Sequence, residues 1–207
     1  MGVLADMERK DLEHLIRAAS GIVDDLEIVI VGSQSILGSV PEAPEILRIS
    51  MEADIYPLNR PELADLIDGS IGEGSPFEQT FGYYAQGVGP ETATLPSGWQ
   101  SRLTRVQNDN TRGAIGYCID VHDLALSKYV ANRAKDRDFN REMIRHRIVD
   151  VDILVARIPS LPIAEPRKAD IIAAIRWDKE SVTPAGNTVN SDGDDKVPPT
   201  LRRYGPR

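Results

Sequence analysis

Residues 26–31, Leu-Glu-Ile-Val-Ile-Val, form a largely β-branched run that stops abruptly at Gly32-Ser33. Such a run, closed by turn residues, reads as a strand buried inside a sheet. The glycine lets the backbone turn sharply where the strand ends. Backbone N–H groups of such a bend, helped by a following helix, suit an anionic ligand such as phosphate. Gly32 and Ser33 equally suit a tight turn in which Ser33 caps a helix. No Gly-Lys-Ser/Thr follows, so the bend is not a Walker loop.

Around this strand the chain alternates helical and extended patterns. Over 7–19, Leu12, Leu15, Ile16 and Ala19 recur at helical spacing, and Gly21 is expected to stop that helix. A second strand is expected over 46–56, where Leu47, Ile49 and Met51 alternate with Arg48, Ser50 and Glu52. A short helix with proline in its first turn fits 61–67. Residues 69–98 are rich in Gly and Pro, carry Phe77, Phe81, Tyr83 and Tyr84, and read as a long loop. Strands over 101–107 and 114–121, joined by Asn108-Asp109-Asn110-Thr111, read as a hairpin. A long helical stretch capped by Asp123 follows, then a last helix over 168–177.

This order predicts an α+β fold, a small mixed β-sheet with flanking helices. It divides into a core over 1–122, a helical C-terminal section over 123–177 and a polar tail over 178–207. The tail, with Ser191-Asp192-Gly193-Asp194-Asp195 and Pro198-Pro199, has too little apolar surface to order itself and is expected to be flexible or to meet a protein partner. One cysteine, Cys118, excludes an internal disulfide and a cysteine-built zinc site, and the three histidines are too dispersed for a local metal motif. Cys118 itself reads as a small buried residue, and His122 as a helix-entry residue. No apolar run approaches the roughly 20 residues of a membrane-spanning helix. The charged N-terminal residues do not resemble an export signal, and a cytoplasmic protein is expected.

Charge adds a hint about ligands. The net charge of −8 is unevenly spread: residues 1–122 hold 19 acidic and 8 basic side chains, residues 123–147 hold 7 basic and 4 acidic. An acidic protein makes a poor non-specific nucleic-acid binder. A basic segment beside an acidic half is compatible with a small metal-bridged anion such as a nucleotide.

Two further groups carry candidate chemistry. On a strand, Glu52 and Asp54 point to one face about 6–7 Å apart, a placement that suits one or two magnesium ions and equally a solvated edge. Like charges so close repel unless something bridges them. In the helical stretch, Lys128, Asn132 and Lys135 fall on one stripe, with Arg133 and Arg137 beside it. That surface suits a triphosphate or a solvated face laced with ion pairs.

Taken in order, these residues resemble the nucleotidyltransferase-fold superfamily, in particular its bacterial AbiEii-like branch, whose members are often toxin components. The resemblance rests on Gly32-Ser33-Gln34-Ser35-Ile36-Leu37-Gly38, on Ser50-Met51-Glu52-Ala53-Asp54, and on Asp123-Leu124 with Lys128, Arg133, Lys135 and Asp136. It implies that Gly32, Ser33, Lys128, Arg133, Lys135 and Asp136 serve a nucleoside triphosphate, Asp136 in a supporting role. Glu52 and Asp54 would hold Mg2+ (or Mn2+), and a third carboxylate would complete the catalytic set: Asp123, with Asp120 and Asp109 as alternatives. The implied reaction transfers a nucleoside monophosphate to a hydroxyl of RNA, protein or a small molecule. A non-catalytic nucleotide-binding relative and the interaction half of a toxin–antitoxin-like pair are the other readings. The chain departs from the superfamily's pattern in carrying Glu52 where Asp is usual. It also has a longer, proline-bearing segment between Ser33 and Glu52.

Overall fold

The computed structural model describes residues 6–182. Five strands form one mixed sheet: β1 (Glu27–Val31), β2 (Glu52–Pro57), β3 (Tyr84–Gly87), β4 (Thr104–Val106) and β5 (Ile115–Cys118). Their spatial order is β3-β2-β1-β5-β4, so the run that dominates the sequence is the central strand. β1 pairs antiparallel with β2 and parallel with β5; β2–β3 is parallel and β4–β5 antiparallel. Burial on both faces explains the lack of polar alternation in β1, as Ile28, Val29, Ile30 and Val31 are all buried.

Helix α1 (Arg9–Val23) buries Leu12, Leu15, Ile16 and Ala19, the face its spacing predicts. It lies so close to β5 that a Cβ on Gly116 would sit 2.4 Å from the Ile16 side chain. Gly21 does not end this helix. The left-handed cap falls on Asp24, at φ 51°, and Gly21 remains inside the last turn. Helices α2 (Ile36–Ser39), α3 (Ala64–Ile71) and α4 (Pro76–Phe81) complete the core section. The hairpin is present, and Asn108 caps its turn by accepting the Asn110 and Thr111 N–H groups.

Three other expectations are corrected. The strand expected over 46–56 begins only at Glu52; residues Glu45–Leu47 form a 3-10 turn instead. The region 69–98 is not a plain loop, since it holds α4 and the edge strand β3. There Tyr83 packs with His14, Phe77 and Phe81 in an aromatic cluster. The long helix expected after residue 123 is two helices, α5 (Val121–Ala131) and α6 (Ala134–Arg145), broken where Asn132 turns left-handed at φ 54°. Its N-cap is Asp120, not Asp123. The break interrupts the helical stripe that counting gives to Lys128, Asn132 and Lys135 and takes Arg133 out of helical register with α5.

Helices α5, α6, α7 (Val151–Arg157) and α8 (Glu165–Val182) pack together as the helical section. α8 runs beyond the boundary expected at residue 177. Its Asp178 is buried and accepts from the Tyr129 hydroxyl at 3.0 Å and from Arg141 Nε at 2.8 Å. These two bonds draw the first residues of the expected tail into the helix. The rest of that tail, residues 183–207, lies outside the described residues. Cys118 is buried as expected, and His122 sits at the helix entry bonded to Asp120 and to the Asp150 N–H. No helix among the described residues is long and apolar enough to cross a membrane.

Candidate functional site

The site forms where β1 and β2 lie side by side. Their antiparallel register sets Val31 opposite Asp54, which brings the Gly32 bend onto the Asp54 carboxylate. Gly32 has φ 66° and ψ −168°, a region open to glycine almost alone. A Cβ there would stand 1.9 Å from Asp54 Oδ2. Glycine is therefore required twice, by the backbone angle and by the carboxylate that occupies the space.

Along β2 the pleat sends Ala53 and Ile55 into the core while Glu52 and Asp54 share the other, partly open face. Burial, then the Glu52 charge, push the Asp54 pKa up to about 6, with Lys128 and Arg133 offsetting only part of this. The Tyr84 hydroxyl, on β3, donates to Glu52 Oε2 at 2.9 Å and fixes that side chain from the sheet edge. Burial and this bond both raise the pKa of the phenol.

A second group approaches from the helical section. Lys128, buried on α5, donates to Ser33 Oγ at 2.9 Å and to Asp136 Oδ1 at 3.2 Å, and its ammonium lies 4.3 Å from the centre of the Phe139 ring. Arg133 Nε donates to the other oxygen, Asp136 Oδ2, at 2.6 Å. Asp136 is thus the hub that holds two cations in place. Its own burial would raise its pKa, but the hydrogen bonds and charges of Arg133 and Lys128 hold it below the ordinary carboxylate range. Burial lowers the Lys128 pKa, and Asp136 restores part of the difference.

Both groups face one cleft of about 520 Å³. Gly32, Ser33, Glu52, Asp54 and Lys128 line it, together with Arg133 and Lys135. Eight of the nine residues expected from the sequence thereby meet, Asp136 from directly behind Lys128. Asp123 does not join them. It is fully buried, with Oδ2 accepting from Arg102 Nε and Oδ1 from Arg157 Nη1, each at 2.8 Å. Asp120 is likewise engaged by Arg157 and caps α5, while Asp109 sits in the β4–β5 turn. Among the described residues, Glu52 and Asp54 are the only carboxylates lining the cleft, and no set of three or more His, Cys, Asp and Glu side chains converges.

With that geometry in place, comparison with known families is decisive. The family model described as nucleotidyltransferase of unknown function (DUF6036) matches residues 9–181. The chain belongs to this family. The match covers the whole described sheet and all eight described helices, α8 ending one residue beyond it. No curated protein and no solved structure matches the chain. The description agrees with the nucleotidyltransferase superfamily that the sequence resembles.

One cleft residue of this nucleotidyltransferase-family chain, Gln86, escapes sequence reading, and Tyr84 beside it is legible only as an aromatic residue in a Gly-rich segment. Tyr84 and Gln86 lie on β3, a four-residue edge strand hidden in a Gly-rich segment, and only the β2–β3 register sets them opposite Glu52 and Asp54. Gln34 is a third positioning group: fully buried, it donates Nε2 to the Ser50 carbonyl at 2.8 Å and ties the Gly-Ser bend to the approach to β2.

The raised Asp54 pKa carries a stability consequence. The folded carboxyl holds its proton up to about pH 6, whereas the unfolded one releases it near 3.8. The native state therefore binds more protons in that window, and stability falls as pH rises through it. In the metal-free protein, Asp54→Asn removes this deficit. The variant is expected to be more stable than wild type by about 1–3 kcal/mol at pH 7.5, and by almost nothing at pH 4. Thermal melts at the two pH values in chelator check this; equal differences at both would contradict it.

Proposed function

We propose that the protein transfers a nucleoside monophosphate from a nucleoside triphosphate to a hydroxyl acceptor, with Mg2+ or Mn2+ held by Glu52 and Asp54. The observation that carries this reading is the meeting of two adjacent carboxylates with the Ser33–Lys128 pair in one cleft. The donor set fits the ion: magnesium is commonly held by one or two carboxylates and completes its shell with water and phosphate oxygens. When bound, such an ion would neutralise charge on the phosphates and stabilise that developing in the transition state. Burial of like charges at Glu52 and Asp54, seen in the raised Asp54 pKa, supports a site built for a cation.

The protein's own groups orient the substrate. Lys128, fixed by Asp136 and Ser33, presents an ammonium that cannot swing away, and Arg133 and Lys135 add positive charge at the rim. Preorganised cations of this kind stabilise phosphoryl-group charge without reorganising during reaction. The acceptor oxygen bonds to the α-phosphorus, the bridge to the β-phosphate breaks, and pyrophosphate leaves. The hydroxyl proton passes in the same step to a carboxylate of the cleft, Glu52 or Asp54. The acceptor class, whether RNA, protein or small molecule, is decided by experiment, as is the AbiEii-like placement that the Asp123–Asp136 segment suggests.

One observation favours a second reading. Both oxygens of Asp123 are occupied by arginines, and among the described residues no third carboxylate lines the cleft. A protein that binds nucleotide without transferring it would have this arrangement. Incubation with labelled nucleoside triphosphates, Mg2+ or Mn2+ and candidate acceptors separates the two. Transfer by wild type, abolished in both Glu52→Ala and Asp54→Ala, is the expected result. Equal labelling by all three removes the enzymatic reading, and metal-dependent binding without turnover establishes the second.

A further inference from the structure

A second hollow of about 390 Å³ adjoins the cleft across the Ser33–Lys128 pair. It shares Ser33, Ser50, Lys128 and Lys135 with the cleft but not Glu52 or Asp54. Beyond those shared groups its walls are apolar at Ile46, Leu47 and Ile49 on one side and Phe139 of α6 on the other, with the carboxylates of Asp138 and Glu142 also on the α6 side. Ile46 is 53% exposed and Ile49 43%, and both turn that exposed surface to the same hollow.

These isoleucines lie in the proline-bearing segment that lengthens the chain between Ser33 and Glu52. That segment is held firmly. Leu47 is buried, Arg48 pairs with Asp6 at 2.8 Å and its carbonyl accepts from the Met7 N–H, and the Ser50 carbonyl accepts from buried Gln34. With the backbone pinned on both sides, Ile46 and Ile49 are held outward against the trough. The segment therefore builds a wall.

We infer that this trough receives the base of the nucleoside triphosphate. The inference rests on the nucleotide reading of the cleft. A ligand filling both hollows is best matched by anionic groups where Lys128 and Lys135 stand and, beyond them, by a group with apolar faces and hydrogen-bond donors toward Asp138 and Glu142. A nucleotide has that distribution within one molecule. Ser50 lies two residues before Glu52 and borders both hollows, which gives the sugar a path from the carboxylates into the trough. The remaining phosphates then fall on Ser33 and Lys128.

The test compares binding of the four nucleoside triphosphates with that of inorganic tripolyphosphate, using the full chain with Mg2+. Wild type is expected to bind at least one nucleotide about tenfold or more tighter than tripolyphosphate, the size of a single stacking or apolar contact. The double variant Ile46→Ser, Ile49→Ser changes exposed positions, and its folding is checked by thermal melting. It is expected to lose that margin while holding tripolyphosphate as wild type does. A margin absent from wild type, or unchanged in the variant, overturns the inference and leaves the nucleotide reading standing. A margin unchanged while transfer to the acceptor falls assigns the trough to the acceptor, which also overturns it. If wild type binds neither nucleotide nor tripolyphosphate, the proposed function fails and this inference with it.

Discussion

Replacing Asp136 with alanine is expected to cost about 3–5 kcal/mol of folding stability, the range for removing one partner of a buried ion pair. The pair is buried on both sides: the Asp136 side chain is 0% exposed and that of Lys128 8%. Taking away the carboxylate leaves the ammonium with Ser33 Oγ, the Phe139 ring and the more distant charge of Asp54 across the cleft. Arg133 loses its anchor as well, but it is exposed and turns to water. The magnitude should depend on pH in a definite direction. Without Asp136 the folded Lys128 pKa drops further below its unfolded value, so the unfolded chain binds the extra proton. Stability of the variant then rises with pH toward 10, and the gap to wild type narrows. Asp136→Asn keeps a hydrogen-bond acceptor for Lys128 and should lose less than the alanine variant. Urea denaturation of both at pH 7 and pH 9.5 measures this. A loss below about 1 kcal/mol for Asp136→Ala would place the pair among surface salt bridges and remove Asp136 from its role as hub.

The contrast between Asp136 and Asp123 shows which parts of the site a sequence discloses. The central strand is legible because a run buried on both faces has to be apolar throughout, and Ile28 to Val31 meet that condition. Glu52 and Asp54 are legible because a two-residue period fixes their common face whatever else the chain does. Lys128 and Asp136 are eight positions apart, and an unbroken helix would not bring both to one point as this structure does. They meet because Asn132 breaks the helix and turns α6 back beside α5. A single left-handed asparagine leaves little trace in hydrophobic spacing. Asp123 fails for the opposite reason: its place at the start of a helix next to a strand looks favourable, but Arg102 and Arg157 arrive from 21 and 34 residues away and consume its oxygens. Long-range pairing of that sort has no local signature. Tyr84 lies between these cases, visible as an aromatic residue in a Gly-rich segment yet assignable to Glu52 only through the β2–β3 register.

Gly32→Ala should produce the largest functional loss of any change that adds no charge and removes no polar atom. Two independent costs coincide there. The backbone angles of Gly32 fall in a region that a side chain tolerates only at about 1–3 kcal/mol. The added methyl would also overlap Asp54 Oδ2, standing 1.9 Å from it. Either the bend or the carboxylate has to move by about an ångström or more, and a displacement of that size at reacting groups costs about 100-fold in rate. Because the Asp54 carboxyl feels the charge of Glu52 on the same face of β2, its shift also disturbs Glu52 beside it. Gly21→Ala supplies the control. Gly21 lies inside α1 with nothing within 4 Å of an added Cβ, and alanine there improves helix propensity by up to about 1 kcal/mol. Metal-dependent nucleotide binding and transfer, measured beside thermal melts, should fall about 100-fold in Gly32→Ala, while Gly21→Ala matches wild type in function and melts slightly higher. Full function in Gly32→Ala would mean that the bend and Asp54 need not lie in contact, and the cleft would lose the geometric constraint on which its chemistry depends.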